Sequence, residues 1–280
     1  MMIIIMKMTV SRVKQVFFPL LITVLMLNSA ALSANDATAV LGTGGIVLQQ
    51  SEHIVMEEEE LFISQELIRV KYVFYNSSPQ AITTRVAFPL PSFQEEPDQD
   101  LPLHVEAHKP LSFKLKIAGE TRSFDTEIKR HEGMIDMTHH WMQTFPAETR
   151  LTVEHEYKPA VGSEIFLSTH AEAKAHYRKT YCIETNLQKW IDKNHDTNSV
   201  KKVKIITPNY VHYVLKTGAH WKNAIKKFRL VIKKQSPKEK ISLCINGIKK
   251  QDESTFIWEK NNFIPKNDLK ILFLSPSSSD

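Results

Sequence analysis

The sequence predicts a mainly β protein: two antiparallel β-sandwich-like domains joined by a short helical segment. Three observations predict it. Apolar and polar residues alternate with period 2 in both halves of the 280-residue chain. Turn residues interrupt that alternation at intervals of about ten residues, as in a sandwich rather than a βαβ unit. Helical spacing is confined to one central stretch.

The chain opens on a basic lead (Lys7, Arg12, Lys14), an apolar core at 16–27 and a small-residue exit at 28–34 containing Ala31-Leu32-Ser33. These are the parts of a secretory signal peptide, expected over residues 1–34. The apolar core holds Pro19 and is about a dozen residues long, whereas a membrane-spanning helix needs about 20. No cysteine follows the cleavage zone to carry a lipid, and no later apolar run is long enough to span. The expectation is a periplasmic or secreted product that is not an integral membrane protein once the leader is removed.

An acidic N-terminal β domain is expected over residues 35–160. Ile68, Val70, Tyr72 and Phe74 fall on one strand face, as do Ile82, Thr84, Val86 and Phe88. The turn-forming stretch Asn76-Ser77-Ser78-Pro79-Gln80 between them reads as the loop of a hairpin. Leu111, Phe113, Leu115 and Ile117 alternate before a turn at Ala118-Gly119-Glu120, and Leu151, Val153, His155 and Tyr157 alternate in turn. The spacing changes next: Leu187, Trp190 and Ile191 recur as on a helix, and 171–179 is rich in helix formers. This gives a helical connection over 161–199. Strand patterns resume in a basic C-terminal β domain, 200–280, at 200–207, 210–217, 228–232, 241–245, 255–258 and 269–274. Asn246-Gly247 is a tight hairpin signal beside 241–245.

Charge divides the chain the same way. Residues 35–160 carry net −9 and residues 161–280 net +11. Such asymmetry fits an anionic partner for the basic half, mutual docking of the halves, or two independently solvated surfaces. Nucleic acid is not the expected partner, because the lysines are scattered along strand-like segments without a nucleic-acid-binding module. The expected partner is an anionic envelope component or another protein.

The two cysteines, Cys182 and Cys244, are expected to form one disulfide in an oxidising compartment. A closed loop of about 60 residues would stabilise the fold by up to about 4 kcal/mol. A redox pair or a metal site is the less favoured reading, since C-x-x-C and further thiols are missing.

Several strings, taken in order, carry a resemblance. They are Ala34-Asn35-Asp36 with 41–48, Leu61-Phe62-Ile63-Ser64, Val86-Ala87-Phe88-Pro89-Leu90-Pro91, Thr144-Phe145-Pro146-Ala147, Tyr181-Cys182, 213–221 and 263–269. The chain resembles a family of exported bacterial proteins catalogued as domain of unknown function 4424. The resemblance implies location and fold; it supplies no catalytic residues. This copy carries His220 where Asn is usual in that family, and Asn223-Ala224-Ile225 where Gly-Pro-Ile is common. Asn76 with Phe88-Pro89-Leu90-Pro91 is also similar to the β-sandwich domain of vault and inter-alpha-trypsin proteins, an interaction module.

Candidate sites are few. Gly42-Thr43-Gly44-Gly45 precedes Ile46-Val47-Leu48 and so reads as a glycine turn between strands, because a phosphate cradle needs a helix N-terminus there. His139 and His140, adjacent on a strand, point to opposite faces and cannot share one metal ion. His104 and His108 lack the glutamate of a zinc-protease helix. Neither a metal nor another cofactor is expected. The acidic run 57–60 and the loop residues Glu95, Glu96, Asp98 and Asp100 read as solvated edge and loop. Of the four tryptophans, Trp221 is the one expected on a binding loop, following Thr217-Gly218-Ala219-His220; Trp221 and His220 are the ligand-binding candidates. The leading expectation is a non-catalytic binding or scaffolding protein of the cell envelope. The alternative is an envelope glycan hydrolase, with Asp125, Glu127, Asp136 and Glu184 available as paired carboxylates.

Overall fold

The structure, a computed structural model, describes residues 37–42, 45–94, 112–163, 171–194 and 206–276. The expected leader, the acidic loop at 95–100 and the pair His104 and His108 lie outside the described residues.

In chain order the strands are β1 (Ala37–Gly42), β2 (Gly45–Gln49), β3 (Ile54–Ile63), β4 (Ile68–Asn76), β5 (Ile82–Pro89), β6 (Phe93–Gln94), β7 (Lys114–Ile117), β8 (Glu120–Arg122), β9 (Asp125–His131), β10 (Met134–Phe145), β11 (Arg150–Tyr157) and β12 (Val161–Ser163). Helices α1 (Ala171–Tyr181) and α2 (Thr185–Asn194) follow, then β13 (Ile206–Tyr213), a 3-10 turn at Lys216–His220, β14 (Ile225–Lys233), β15 (Lys240–Ser242), β16 (Lys249–Lys250), β17 (Thr255–Phe263) and β18 (Leu269–Pro276). The mainly β class and the central helical connection are as expected.

The strands form three sheets. A six-stranded sheet runs β2-β1-β5-β10-β6 with β9 paired to β10, an eight-stranded sheet runs β16-β17-β14-β3-β4-β11-β7-β8, and a four-stranded sheet runs β12-β13-β18-β15. The six- and eight-stranded sheets enclose the main core. Ile68, Val70, Tyr72 and Phe74 of β4 face it from one side, and Val86, Phe88, Trp141 and Phe145 of β5 and β10 belong to the same buried cluster. Helices α1 and α2 cover the four-stranded sheet, where Tyr177, Tyr181, Ile183 and Ile191 pack with Ile206, Leu272 and Leu274. Strand β18 is therefore buried on both faces, since Ile271 and Phe273 join the main core. A strand buried on both faces has no polar side to alternate with. None of the helices among the described residues is long and apolar enough to cross a membrane.

Four expectations differ from the structure. The pairing of β14 with β3 is parallel and runs from Lys227↔Glu58 to Ile232↔Ile63, so one sheet crosses the boundary drawn between residues 160 and 200. Leu32–Asp280 accordingly group as one unit, with Val211, Tyr213 and Phe228 in the same core cluster as Tyr72 and Phe88. Next, β4 and β5 are not a hairpin: they lie in different sheets, and 77–81 arches from one layer to the other. Asn76 holds that arch, its Nδ2 donating to Gln80 O (2.9 Å) and Phe145 O (3.0 Å) and its Oδ1 accepting from Ser78 N (2.9 Å). Finally, Asn246-Gly247 does turn the chain, with Gly247 at φ 79°, but β15 before it pairs with β18 and β16 after it pairs with β17. The two expected strands at 200–207 and 210–217 are one strand, β13, followed by the 3-10 turn; residues 200–205 lie outside the described residues.

Helix α1 ends at Cys182, which takes a left-handed φ of 52°. Ile183 N then donates to Arg178 O (3.0 Å), closing the helix with the six-to-one bond of a Schellman ending. Cysteine replaces the usual glycine at this position, and from it the disulfide reaches Cys244 with a Cα–Cα distance of 5.0 Å across 62 residues of sequence. The expected bridge is formed.

Candidate functional site

Trp221 is fully buried, which corrects its reading as a loop residue open to ligand. Its ring lies 4.5 Å from that of Phe74 and 6.0 Å from that of Phe145. The backbone around it is stitched to the β2–β3 connection: Ser51 N donates to His220 O (2.7 Å) and Lys222 N to Ile54 O (2.9 Å). Asp268 fixes the preceding turn by accepting from Leu215 N (3.1 Å) and Lys216 N (3.2 Å). His220 is half-buried, with Nδ1 3.2 Å from Thr217 O inside that turn. Trp221 therefore serves packing, and His220 lies in the turn that seats it.

Two other histidines, His139 and His155, also turn inward. His139 and His140 point to opposite faces of β10 as expected: His139 is buried, while His140 stays half-buried with Nδ1 2.8 Å from Arg85 Nη1. His139 and His155 sit among Phe88, Phe113, Phe124 and Trp141, with His139 4.3 Å from Phe113 and His155 4.8 Å from Phe88 between ring centroids. Burial pushes the pKa of each down to about 3 from 6.5, so both rings are neutral at pH 7. Burial likewise pushes the Tyr157 phenol up. These histidines pack as aromatic residues. Among the described residues no three His, Cys, Asp or Glu side chains converge to hold a metal.

The candidate carboxylates lie on three parts of the chain: β9, β10 and the junction of α1 and α2. Asp125 and Glu127 share one face of the edge strand β9. Asp136 is buried and accepts a hydrogen bond from Ser92 Oγ, with His131 Nδ1 3.5 Å from its other oxygen. The carboxylate thus stands between serine and histidine, the reverse of a nucleophile relay in which histidine touches the serine. Glu184 lies between α1 and α2, two residues beyond Cys182.

The acidic run of β3 is not an edge. It lies between β4 and β14, and the basic strand β14 answers it charge for charge: Lys226 Nζ meets Glu57 (2.7 Å), Lys227 Nζ meets Glu58 (3.0 Å) and Arg229 meets Glu60 (3.1 Å). Arg150 adds a second contact to Glu57 (2.6 Å). Hydrogen bonding to Lys226 leads the causes that lower the Glu57 pKa, with Arg150 reinforcing it. A cleft of about 410 Å³ runs over this face, and its charges are largely paired with one another.

A second groove, about 370 Å³, has a different character. Its wall includes Cys182 and Leu187 from the α1–α2 region, and its floor is Ile241, Leu243, Ile245, Ile248 and Phe256, all half-buried. Lys240 and Lys250 are exposed on its rim, and the buried Lys234 donates from Nζ to Pro237 O (2.9 Å) and Glu239 O (2.8 Å). The disulfide ties the 243–248 segment to the end of α1, so it fixes the two walls relative to one another. Two acids also line the groove: Glu184 is exposed, whereas the Glu239 carboxylate is engaged elsewhere, Oε1 accepting from Gln65 Nε2 (2.7 Å) and Ser275 Oγ (2.6 Å), and Oε2 from Gln235 N (3.0 Å). Sequence reading missed this groove because its floor comes from a turn between strands of different sheets. The signal available was Leu243, Ile245 and Ile248 around a disulfide cysteine, apolar residues in a segment too short to bury them all.

Fold and site define a disulfide-stapled, mainly β protein with a lysine-rimmed groove over a partly apolar floor. The chain belongs to the family described as Domain of unknown function (DUF4424), which matches residues 34–140 and 134–272. Among solved structures it is similar to a Legionella pneumophila protein provisionally described as nutrient-binding, at 16% identity and a TM-score of 0.55, over 86% of this chain and 70% of that one. It also aligns with yeast leukotriene A4 hydrolase (10% identity, TM-score 0.40, 82% of this chain, 30% of that chain) and with an M1 zinc metallopeptidase from Deinococcus radiodurans (7% identity, TM-score 0.29, 80% and 43%). The first of these likenesses concerns the fold alone, and the other two are too slight to bear on it. No curated protein matches the chain.

Proposed function

We propose that this chain is an exported, non-catalytic binding protein of the cell envelope, scaffolding or capturing a partner through the groove beside its disulfide. The observation that carries the reading is the groove itself: an apolar floor, a rim of lysines and a buried carboxylate whose oxygens are already hydrogen-bonded. Such a site can hold a ligand; of the two acids that line it, Glu239 is committed to structure and Glu184 is exposed beside Cys182. The signal-peptide pattern at 1–34 and the bridge between Cys182 and Cys244 support an oxidising, exported setting. The fold likeness to a protein provisionally described as nutrient-binding supports a binding role.

The test is capture from an envelope extract on the immobilised, disulfide-bonded protein at low and high salt. Capture that weakens in salt and is lost when Lys240 and Lys250 are both changed to Glu supports the reading. Equal recovery by wild type and variant under both conditions refutes a role for the groove.

A further inference from the structure

The ligand class of the groove follows from charges that remain after the seam between β3 and β14 is accounted for. Lys226, Lys227 and Arg229 are paired with Glu57, Glu58 and Glu60. Lys234, Lys240 and Lys250 have no carboxylate ion pair among the described residues. Lys240 Nζ instead stands 5.8 Å from the centre of the Trp190 ring, and Lys234 Nζ 5.7 Å from that of Phe256. All three line the groove; burial lowers the Lys234 pKa and repulsion from Lys240 and Lys250 lowers it further, against the opposing pull of Glu239 and Glu253. An anion arriving between them relieves that repulsion.

The floor below the cations is aliphatic. Ile241, Leu243, Ile245 and Ile248 form the apolar part of a lining that also holds Glu184 and Ser242, and its aromatic ring, Phe256, already lies under Lys234. A volume of about 370 Å³ suits one small ligand with an apolar body. We propose that the groove binds a medium-chain acyl anion, its chain on Ile241, Leu243, Ile245 and Ile248 and its carboxylate between Lys240 and Lys250. This rests on the binding role proposed above and names the ligand for that same site.

The experiment is calorimetric titration of the full-length chain, expressed with its own leader and purified with the disulfide intact, using dodecanoate below its micelle-forming concentration. One saturable site is expected. Lys240→Glu with Lys250→Glu should weaken it by about tenfold or more, as reversal of two rim charges requires. Ile245→Asp should abolish it, with a native-like far-UV circular dichroism spectrum retained although Ile245 packs against the main core. Lys260→Glu, on the cleft over the β3–β14 seam, should leave it unchanged.

Failure of wild type to bind, equal binding by the double lysine variant, or equal affinity for uncharged dodecanol would each overturn the proposal. A wild-type dimer that Ile245→Asp disperses would show a second copy in the groove and overturn it as well. Loss of dodecanoate binding with envelope capture retained removes the ligand class alone; loss of both removes the binding role.

Discussion

Trp221 is the residue on which sequence and structure part most clearly, and its chemistry can be measured. Its ring is enclosed by Phe74 and Phe145. Trp221→Ala is therefore expected to cost about 3–5 kcal/mol in denaturant unfolding, the range for truncating a buried aromatic residue. A cost below about 0.5 kcal/mol would return it to the surface. The buried histidines make a second prediction at this scale. The folded chain refuses protons at His139 and His155 until pH about 3, whereas the unfolded chain accepts them from 6.5 downward. Their contribution is complete above pH 6.5 and declines as pH falls from 6.5 toward 3, at about 1.4 kcal/mol per pH unit for each ring. His212, lowered by burial to about 4, acts in the same direction. Replacing His155 with Phe should spare about 2 kcal/mol of the stability lost between pH 7 and pH 5. Identical losses in wild type and variant would contradict the assignment.

At the scale of elements, the seam between β3 and β14 decides the architecture. Exposed ion pairs contribute about 0–1 kcal/mol each, so Glu58–Lys227 and Glu60–Arg229 set the register of a parallel pairing whose strength comes from Leu61, Ile63, Leu230 and Ile232 beneath. Residues 35–160 alone would leave that edge of β3 unpaired and the core without Trp221 and Phe228. Expressed alone, that fragment should show no cooperative unfolding, and it should co-purify with 161–280 when both are made together. A fragment that unfolds cooperatively by itself would sink the shared-sheet description.

Which elements were legible follows from the same packing. Strands with one buried face, such as β4 and β11, alternate cleanly and are legible in the sequence. Strand β10 is not legible in the sequence, because Asp136, Thr138 and His139 occupy buried positions and break the apolar count. In β3 the run Glu57 to Glu60 hid a central strand whose outward carboxylates find cations across the seam. The hairpin errors share one cause: a strand-turn-strand pattern is equally satisfied by an arch between layers. For Trp221, the partners that pull its turn inward are Ser51, Ile54 and Asp268, distant in sequence and invisible to local spacing.

For the whole molecule, the opposed charges of the two halves are in part answered internally, which is the mutual docking that the asymmetry allowed. Lys234, Lys240 and Lys250, which line the disulfide-bounded groove, are among the cations left without an ion pair within the described residues, and the binding role proposed for the groove depends on the chain reaching an oxidising compartment. The most direct measurement is the intact mass of the protein, with and without reduction and alkylation, in exported and cytoplasmic fractions of cells expressing the full-length chain. The account predicts exported protein lacking the leader over 1–34, with neither cysteine alkylated until the disulfide is reduced. Full-length protein in the cytoplasmic fraction, with Cys182 and Cys244 both alkylated without reduction, would contradict it.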